Sequence, residues 1–268
     1  MHRYIYLPER SGRFLPGAAV LLLIMALLSL PLGAKAQTTI FSENFESATT
    51  GTTLLPAISW DFYVADEGNS RWAVGNASCA ISGNKSMYVV RNTAANPCDY
   101  APANPTNKIA YRTFSTTGFN NLTLSFKWIC NGEKIGSTYY DYGRVCFSLN
   151  GTTWVDLPAY YQGQTTTQLV TDLALPAALN NQPTVYIGFR WVNDISTKNI
   201  PGFVVDDIIV KGNPAAPPVL TSLGSLSGCS GSSLVITGTA LNGATSVTIG
   251  GTPATITANT PTSITVTI

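Results

Sequence analysis

From Gln37 to about Gly212 the chain runs as short stretches rich in Val, Ile, Thr, Tyr, Phe and Trp. Each is closed by Gly, Asn, Pro or Ser, and none sustains a 3.6-residue apolar period. Residues of a strand alternate between two faces, and β-branched and aromatic side chains fit a pleated, half-buried surface, so this pattern confines the segment to an all-β fold. The expected strands are Thr38–Glu46, Ser59–Val64, Arg71–Gly75, Met87–Arg91, Lys108–Phe114, Leu122–Cys130, Gly143–Leu149, Thr153–Asp156, Thr167–Leu173, Thr184–Asn193 and Gly202–Lys211. That many short strands over this length suits a jelly-roll or similar two-sheet sandwich, which buries a sizeable core without leaning on disulfides. Asn150-Gly151, between Phe147–Leu149 and Thr152–Trp154, predicts a two-residue hairpin with positive φ at both central residues.

The composition changes after residues 213–218, Asn-Pro-Ala-Ala-Pro-Pro, which read as a stiff, extended linker. From Val219 to Ile268 there is no charged and no aromatic residue. The strand-like pieces Ser233–Gly238, Ser246–Gly250, Ala254–Thr257 and Ser263–Ile268 are spaced as in an immunoglobulin-like sandwich, over about half the length of roughly 100 residues such a domain takes. The sequence stops in mid-strand, so the expectation is an incomplete immunoglobulin-like module from a longer protein.

At the other end, Arg3, Arg10 and Arg13 precede an apolar run, Ala18–Leu30, that closes on Ala34-Lys35-Ala36. As a helix this run rises about 20 Å against a hydrocarbon core of about 30 Å. Residues 1–36 therefore read as a secretory signal peptide cut before Gln37 rather than as a membrane anchor, and no later stretch has spanning length. The expected organisation is 1–36 leader, 37–212 jelly roll, 213–218 linker and 219–268 truncated immunoglobulin-like segment. Cleavage takes the count from 15 basic and 14 acidic residues to 11 and 13, a mature charge of −2. With no positive excess, a phosphate backbone is not an expected partner.

Export places Cys79, Cys98, Cys130, Cys146 and Cys229 where disulfides persist. Cys79 and Cys98 flank a loop-rich stretch and are the expected pair. Strand parity argues against joining Cys130, which alternates with Leu122, Leu124, Phe126 and Trp128, to Cys146, which alternates with Arg144 and Ser148 on what reads as an outer face. The absence of any C-x-x-C excludes zinc ribbons and thioredoxin-like redox chemistry.

His2 is the only histidine and lies in the leader. Nucleophile systems that use imidazole as base, and His-ligated zinc, cannot be built from residues 37–268. A glycosidase needs two facing acids, and the mature acids are scattered, so the chain reads as non-catalytic. Asp206-Asp207 interrupts a strand apolar on both parities, where a carboxylate is costly unless a cation or several donors compensate it. Arg190, Arg71 and solvent are the alternatives to a metal ion. Among the aromatic residues, Trp128 and Trp191 keep parity with apolar neighbours and read as core. Tyr139, Tyr140, Tyr160 and Tyr161 lie near expected loops and are the candidates for stacking on a sugar or another ligand, against the alternative of ordinary loop packing.

Two resemblances add to this. Residues 218–268, PVLTSLGSLSGCSGSSLVITGTALNGATSVTIGGTPATITANTPTSITVTI, resemble the first half of an IPT/TIG domain, with its ITGT strand and V.IGG..A pattern. Phe41–Ser47 (FSENFES), Ser59–Val74, Leu122–Glu133 (LTLSFKWICNGE), Asp141–Leu157, Val185–Asp194 and Phe203–Gly212 (FVVDDIIVKG) together resemble the cleaved-adhesin or MAM-like jelly rolls of exported Bacteroidetes-type surface proteins. The second resemblance implies Ca²⁺ bound by Asp207 and Glu46, with Asp66 adding an oxygen from the next loop, in keeping with calcium's six to eight oxygen ligands. The family's stretch after the first Trp is richer in Asp and Gly than here, which leaves Asp66, Glu67 and Asn69 in that loop. The expected function is a secreted or cell-surface adhesin whose jelly roll binds an extracellular glycan or a host or matrix protein, with the IPT/TIG module as spacer. The alternative is an accessory binding region of a longer secreted protease or glycosidase.

Overall fold

The computed structural model describes residues 36–48, 60–64, 70–75, 80–91, 98–101, 104–224, 231–241 and 244–268. Alternation is plainest in the strand Phe119–Cys130, where Leu122, Leu124 and Phe126 are buried while Thr123, Ser125 and Lys127 lie on the other face. It is β6 in the series β1 (Thr38–Glu43), β2 (Asp61–Val64), β3 (Ser70–Gly75), β4 (Ser86–Arg91), β5 (Thr106–Phe114), β6, β7 (Glu133–Ile135), β8 (Thr138–Ser148), β9 (Val155–Asp156), β10 (Gln164–Ala174), β11 (Val185–Asn193) and β12 (Val204–Pro214). One sheet has the order β10-β6-β12-β4-β3, with β1 also on β12; the other has the order β2-β5-β11-β8-β7, with β9 on β8. The chain is thus an all-β jelly-roll sandwich through this region.

The two inner faces meet in one core. Phe126 of the first sheet stands edge-on to Phe189 of the second at 5.0 Å between ring centres, and Phe203 reaches both Phe189 and Trp72. Trp60, Trp191 and Phe203 are closed off from solvent, as the parity of Trp191 predicted, while Trp128 is partly buried against the same core. Gly143 makes room for this packing: a Cβ there would lie 2.2 Å from the Phe203 ring.

Further along the chain β13 (Val219–Leu223), β14 (Ser233–Thr239), β15 (Val247–Ile249), β16 (Thr252–Asn259) and β17 (Ser263–Thr267) form a separate sheet in the order β13-β14-β17-β16-β15. Leu234 and Ile236 on β14, with Ile264 and Val266 on β17, bury alternate positions beside Leu241. Among the described residues no helix is long and apolar enough to cross a membrane.

Several local expectations change. Asn150-Gly151 is not a two-residue hairpin: β8 ends at Ser148, β9 begins at Val155, and of the pair only Gly151 has positive φ, 74°. Asn150 instead accepts the amides of Thr152 and Thr153 on Oδ1, at 3.0 and 2.8 Å, an Asx-type closure of a wider loop. Two strands are additional to those expected: β7 is only Glu-Lys-Ile, and β13, Val-Leu-Thr-Ser-Leu, lacks a two-residue alternation and is exposed throughout, while β12 continues to Pro214, into the expected linker. Cys130 and Cys146 are both free and buried. Cys146 keeps the outer parity expected of it but is covered, lying in register between Asp156 and Gly188. The leader before Ala36, Asp66, Cys79 and Cys229 lie outside the described residues.

Candidate functional site

The register of the second sheet gathers its polar outer face. Arg144 on β8 and Arg190 on β11 are directly opposed, and β9 lies beside β8 with Asp156 facing Cys146. Asp156 accepts Arg190 Nε at 2.8 Å and pairs with Arg144 at 3.4 Å, while Arg190 donates to Asn107 Oδ1 at 2.6 Å. Trp154 lies over Gly188, where a Cβ would come within 3.1 Å of its ring, and Tyr63, Tyr111 and Tyr186 surround it with ring centres at 6.1, 5.2 and 6.3 Å.

At the β7 end of this face the tyrosines form a layered stack. Tyr139 and Tyr160 lie face to face, 4.3 Å between centres and 11° apart in plane. Lys134 Nζ sits over Tyr139 at 4.5 Å, and the Arg144 guanidinium over Tyr160 at 4.4 Å. Neither cation shares a ring face with the partner tyrosine at such distances, so the order is Lys134, Tyr139, Tyr160, Arg144. Tyr142 meets Tyr160 edge-on at 4.9 Å. Its phenol is pushed up by burial first and then by Tyr160, with Arg144 and Arg190 opposing. Tyr160 is 42% exposed, so the stack is open to solvent.

Of the four tyrosines singled out in the sequence, two belong to this stack. Tyr140 is half-buried outside it. Tyr161 is a core residue rather than a ligand contact: its ring stacks on Phe203 at 5.7 Å and stands edge-on to Trp128 and Phe126. A bridge between Tyr161 and Gly143 turns it inward where Tyr160 points out, and burial raises its phenol to about 12. Lys134, Arg144 and Tyr142 were not singled out, since on the sequence they are ordinary strand residues whose meeting depends on the β7–β8 and β8–β9 pairings.

Of the acids assigned to calcium, Asp207 meets a lysine ammonium and Glu46 meets backbone amides. Asp207 has φ of 45° at an irregularity in the β12–β6 register, and its Oδ2 accepts Lys127 Nζ at 2.8 Å and Ser82 Oγ at 2.7 Å. Burial pushes its carboxyl up, but these donors outweigh it and hold it below the usual range. Its ion pair is therefore with Lys127, not with the Arg190 or Arg71 expected as alternatives. Glu46 Oε1 accepts the amides of Asn84 and Lys85, at 2.7 and 3.0 Å, and Lys85 Nζ binds the carbonyls of Glu46, at 2.8 Å, and Ala48. The carboxylates of Glu46 and Asp207 are thus satisfied without an ion, by amides and by Ser82 and Lys127, while Asp66, the third expected ligand, lies outside the described residues. The expected results are an unchanged melting temperature on adding a chelator, and a fall of a few °C in Lys85→Met, from losing bonds worth about 1–2 kcal/mol. A chelator-induced fall as large as that of the variant would return the ion to this place.

Asp206, beside Asp207, has no solvent exposure. Ser86 Oγ and the Asp207 amide bond it at 2.6 and 2.7 Å, yet burial dominates and raises its carboxyl to about 7. A second acidic group was not legible in the sequence: ligand atoms of the buried Glu133 and Asp141 and the half-buried Asp194 lie within 4.8 Å of one another. Tyr100 donates its hydroxyl to Asp141, the Asp194 amide bonds Asp141 at 3.0 Å, and Ser196 Oγ bonds Glu133 at 2.7 Å. Burial lifts Asp141 to about 6 against these donors.

No protein-family model matches the sequence, and no curated protein matches it. Among solved structures, the chain is similar to the K1 cleaved adhesin domain of Lys-gingipain from Porphyromonas gingivalis W83, at 18% identity over 66% of this chain and 99% of that one, with a TM-score of 0.41. It is also similar to the CBM22-1 xylan-binding domain of Xyn10C from Paenibacillus barcinonensis, at 13% identity over 68% of this chain and 99% of that one, with a TM-score of 0.40.

Proposed function

We propose that the chain is an exported, non-catalytic binding protein whose jelly roll recognises a glycan on the outer face of its second sheet, at Tyr139, Tyr142 and Tyr160. The observation that carries this reading is the solvent-open stack of tyrosines and cations, continuous through Arg144 with the Asp156, Arg190 and Asn107 network. Such a surface offers many hydrogen-bonding groups on a rigid sheet, as sugar hydroxyls require. Residues 1–36 act as the leader and residues 219–268 as an IPT/TIG-like spacer in this proposal. It also includes a Cys79–Cys98 disulfide, which the disulfide-bonded state of Cys98 supports.

Affinity electrophoresis of the protein through gels containing xylan, galactan, polygalacturonate or chondroitin sulfate tests the reading. The expected result is retardation by at least one polysaccharide, reduced about tenfold in affinity by Tyr160→Ala, a truncation at a half-exposed position that leaves the core intact. Migration unaffected by every polysaccharide would overturn it.

A further inference from the structure

We infer that the ligand of the Tyr139–Tyr160 face is a negatively charged glycan, bearing uronate carboxylates or sulfate esters, an inference that rests on the glycan-binding reading above. Neutral sugars are held on protein surfaces largely by laying their C–H faces on an open aromatic ring. Here those faces are taken. Tyr160 has Tyr139 on one side and the Arg144 guanidinium on the other, and Tyr139 has Tyr160 on one side and Lys134 Nζ on the other. Trp154 is laid over Gly188 and ringed by three tyrosines. What remains for a ligand is the phenolic hydroxyls of Tyr142 and Tyr160 and the exposed Lys134 ammonium, itself 3.2 Å from the Tyr139 hydroxyl.

The charge count favours an anion. Lys134, Arg144 and Arg190 stand on this face; Asp156 pairs with both arginines, and Asp61 lies on Tyr111 at the β2 edge. Among the described residues no carboxylate pairs with Lys134, which leaves an excess of one positive charge at the β7 end. Arg144 is held from within, its Nη1 on Asp156 and its Nη2 on the Leu157 carbonyl with Nε enclosed, so the exposed Lys134 is the cation turned to a ligand. Glu133 and Asp141, the nearest acids on β7 and β8, are buried and bonded to Ser196 and Tyr100 rather than to these cations. The mature chain as a whole carries −2, so this local excess opposes the overall balance and is not a by-product of a basic protein. A cationic head already held by a ring face gives up little further freedom on meeting a carboxylate or sulfate, and the pairing becomes charge-assisted.

The test compares polygalacturonate with its fully methyl-esterified form, which removes charge and keeps the backbone, alongside chondroitin sulfate, neutral xylan and polyglutamate, at about 20 and about 300 mM NaCl. The expected result is affinity at least about tenfold higher for polygalacturonate or chondroitin sulfate than for the methyl ester, with the advantage shrinking at the higher salt. Preference between those two polyanions identifies carboxylate or sulfate as the group bound. Lys134→Gln, at an exposed position, lowers acidic-glycan affinity by about three- to tenfold without moving the melting temperature, and Arg144→Lys checks the same charge in a variant that keeps it. Equal binding of acid and methyl ester, or tighter binding of xylan, would overturn the charge assignment while leaving the glycan reading standing. Binding of polyglutamate without any glycan, or of no polymer at all, would overturn both.

Discussion

Raising the pH from about 5 to about 8 lowers the melting temperature of this protein, by roughly 10 °C. Asp206 and Asp141 are carboxyls closed off from solvent, with their folded values lifted from 3.8 to about 7 and about 6, chiefly by burial. Between the unfolded and folded values the native chain holds protons that the unfolded chain has released. Each group therefore contributes stability that is full below about pH 4 and is lost as the pH climbs through its folded value. One unit corresponds to about 1.4 kcal/mol, so the pair accounts for several kcal/mol across this window, with about 2–4 °C of melting temperature per kcal/mol. Asp207 works in the opposite sense, because Lys127 and Ser82 hold its carboxyl down, and its contribution disappears only in stronger acid. Thermal melts across the range measure the slope, and Asp206→Asn, which keeps shape and removes the titration, flattens the upper part of it. A level profile from pH 5 to 8 in the unsubstituted protein would sink the assignment.

Trp191→Ala costs about 3–5 kcal/mol, a fall of about 10 °C or more in melting temperature. The indole has no solvent exposure and stands edge-on to Tyr100 at 4.8 Å between ring centres. Its Nε1 donates to Asn193 Oδ1 at 2.9 Å, and Asn193 Nδ2 in turn binds the carbonyls of Ala101, Asn104 and Asp194. Truncation thus opens a cavity and orphans the acceptor of a side chain that joins two loops to the end of β11. Trp191→Phe fills most of the cavity but leaves Asn193 short of a donor, so an intermediate loss of about 1–3 kcal/mol separates the hydrogen bond from the packing. Denaturant melts of the two variants measure this; equal stabilities for Ala and Phe would show that the ring volume does not matter there.

Most of the strands were legible in the sequence because their signal is local. Leu122, Leu124 and Phe126, or Ile187, Phe189 and Trp191, announce a buried face by their own alternation, whatever lies opposite. The parity that keeps Cys130 apart from Cys146 is of the same kind, and both thiols are free. The short edge β7, Glu-Lys-Ile, has no such alternation, and Asn150-Gly151 carries a hairpin signal that the Asn150 side chain overrides by closing a longer loop.

The site was less legible. Tyr160 and Tyr161 are neighbours in sequence and have opposite fates, one in the solvent-open stack and one against Phe203, because a single bridge to Gly143 sets which way each points. Asp206 and Asp207 likewise part at a backbone irregularity, one enclosed by Ser86 and the other paired with Lys127.

By itself the sequence determined that the chain beyond Gln37 is built from strands, which faces many of those strands bury, and that no imidazole follows His2. A two-residue period and a residue count need no knowledge of partners. Only the tertiary structure decided that Lys134 and Arg144 cap a pair of stacked tyrosines, that the Asn84 and Lys85 amides and the Lys127 ammonium meet the acids expected to hold calcium, and that Glu133, Asp141 and Asp194 come together. Each of these depends on strand register or on a positive-φ turn. A shift of one residue in either sends a side chain to the opposite face, so contacts between residues far apart in the chain are set where the sheets pair.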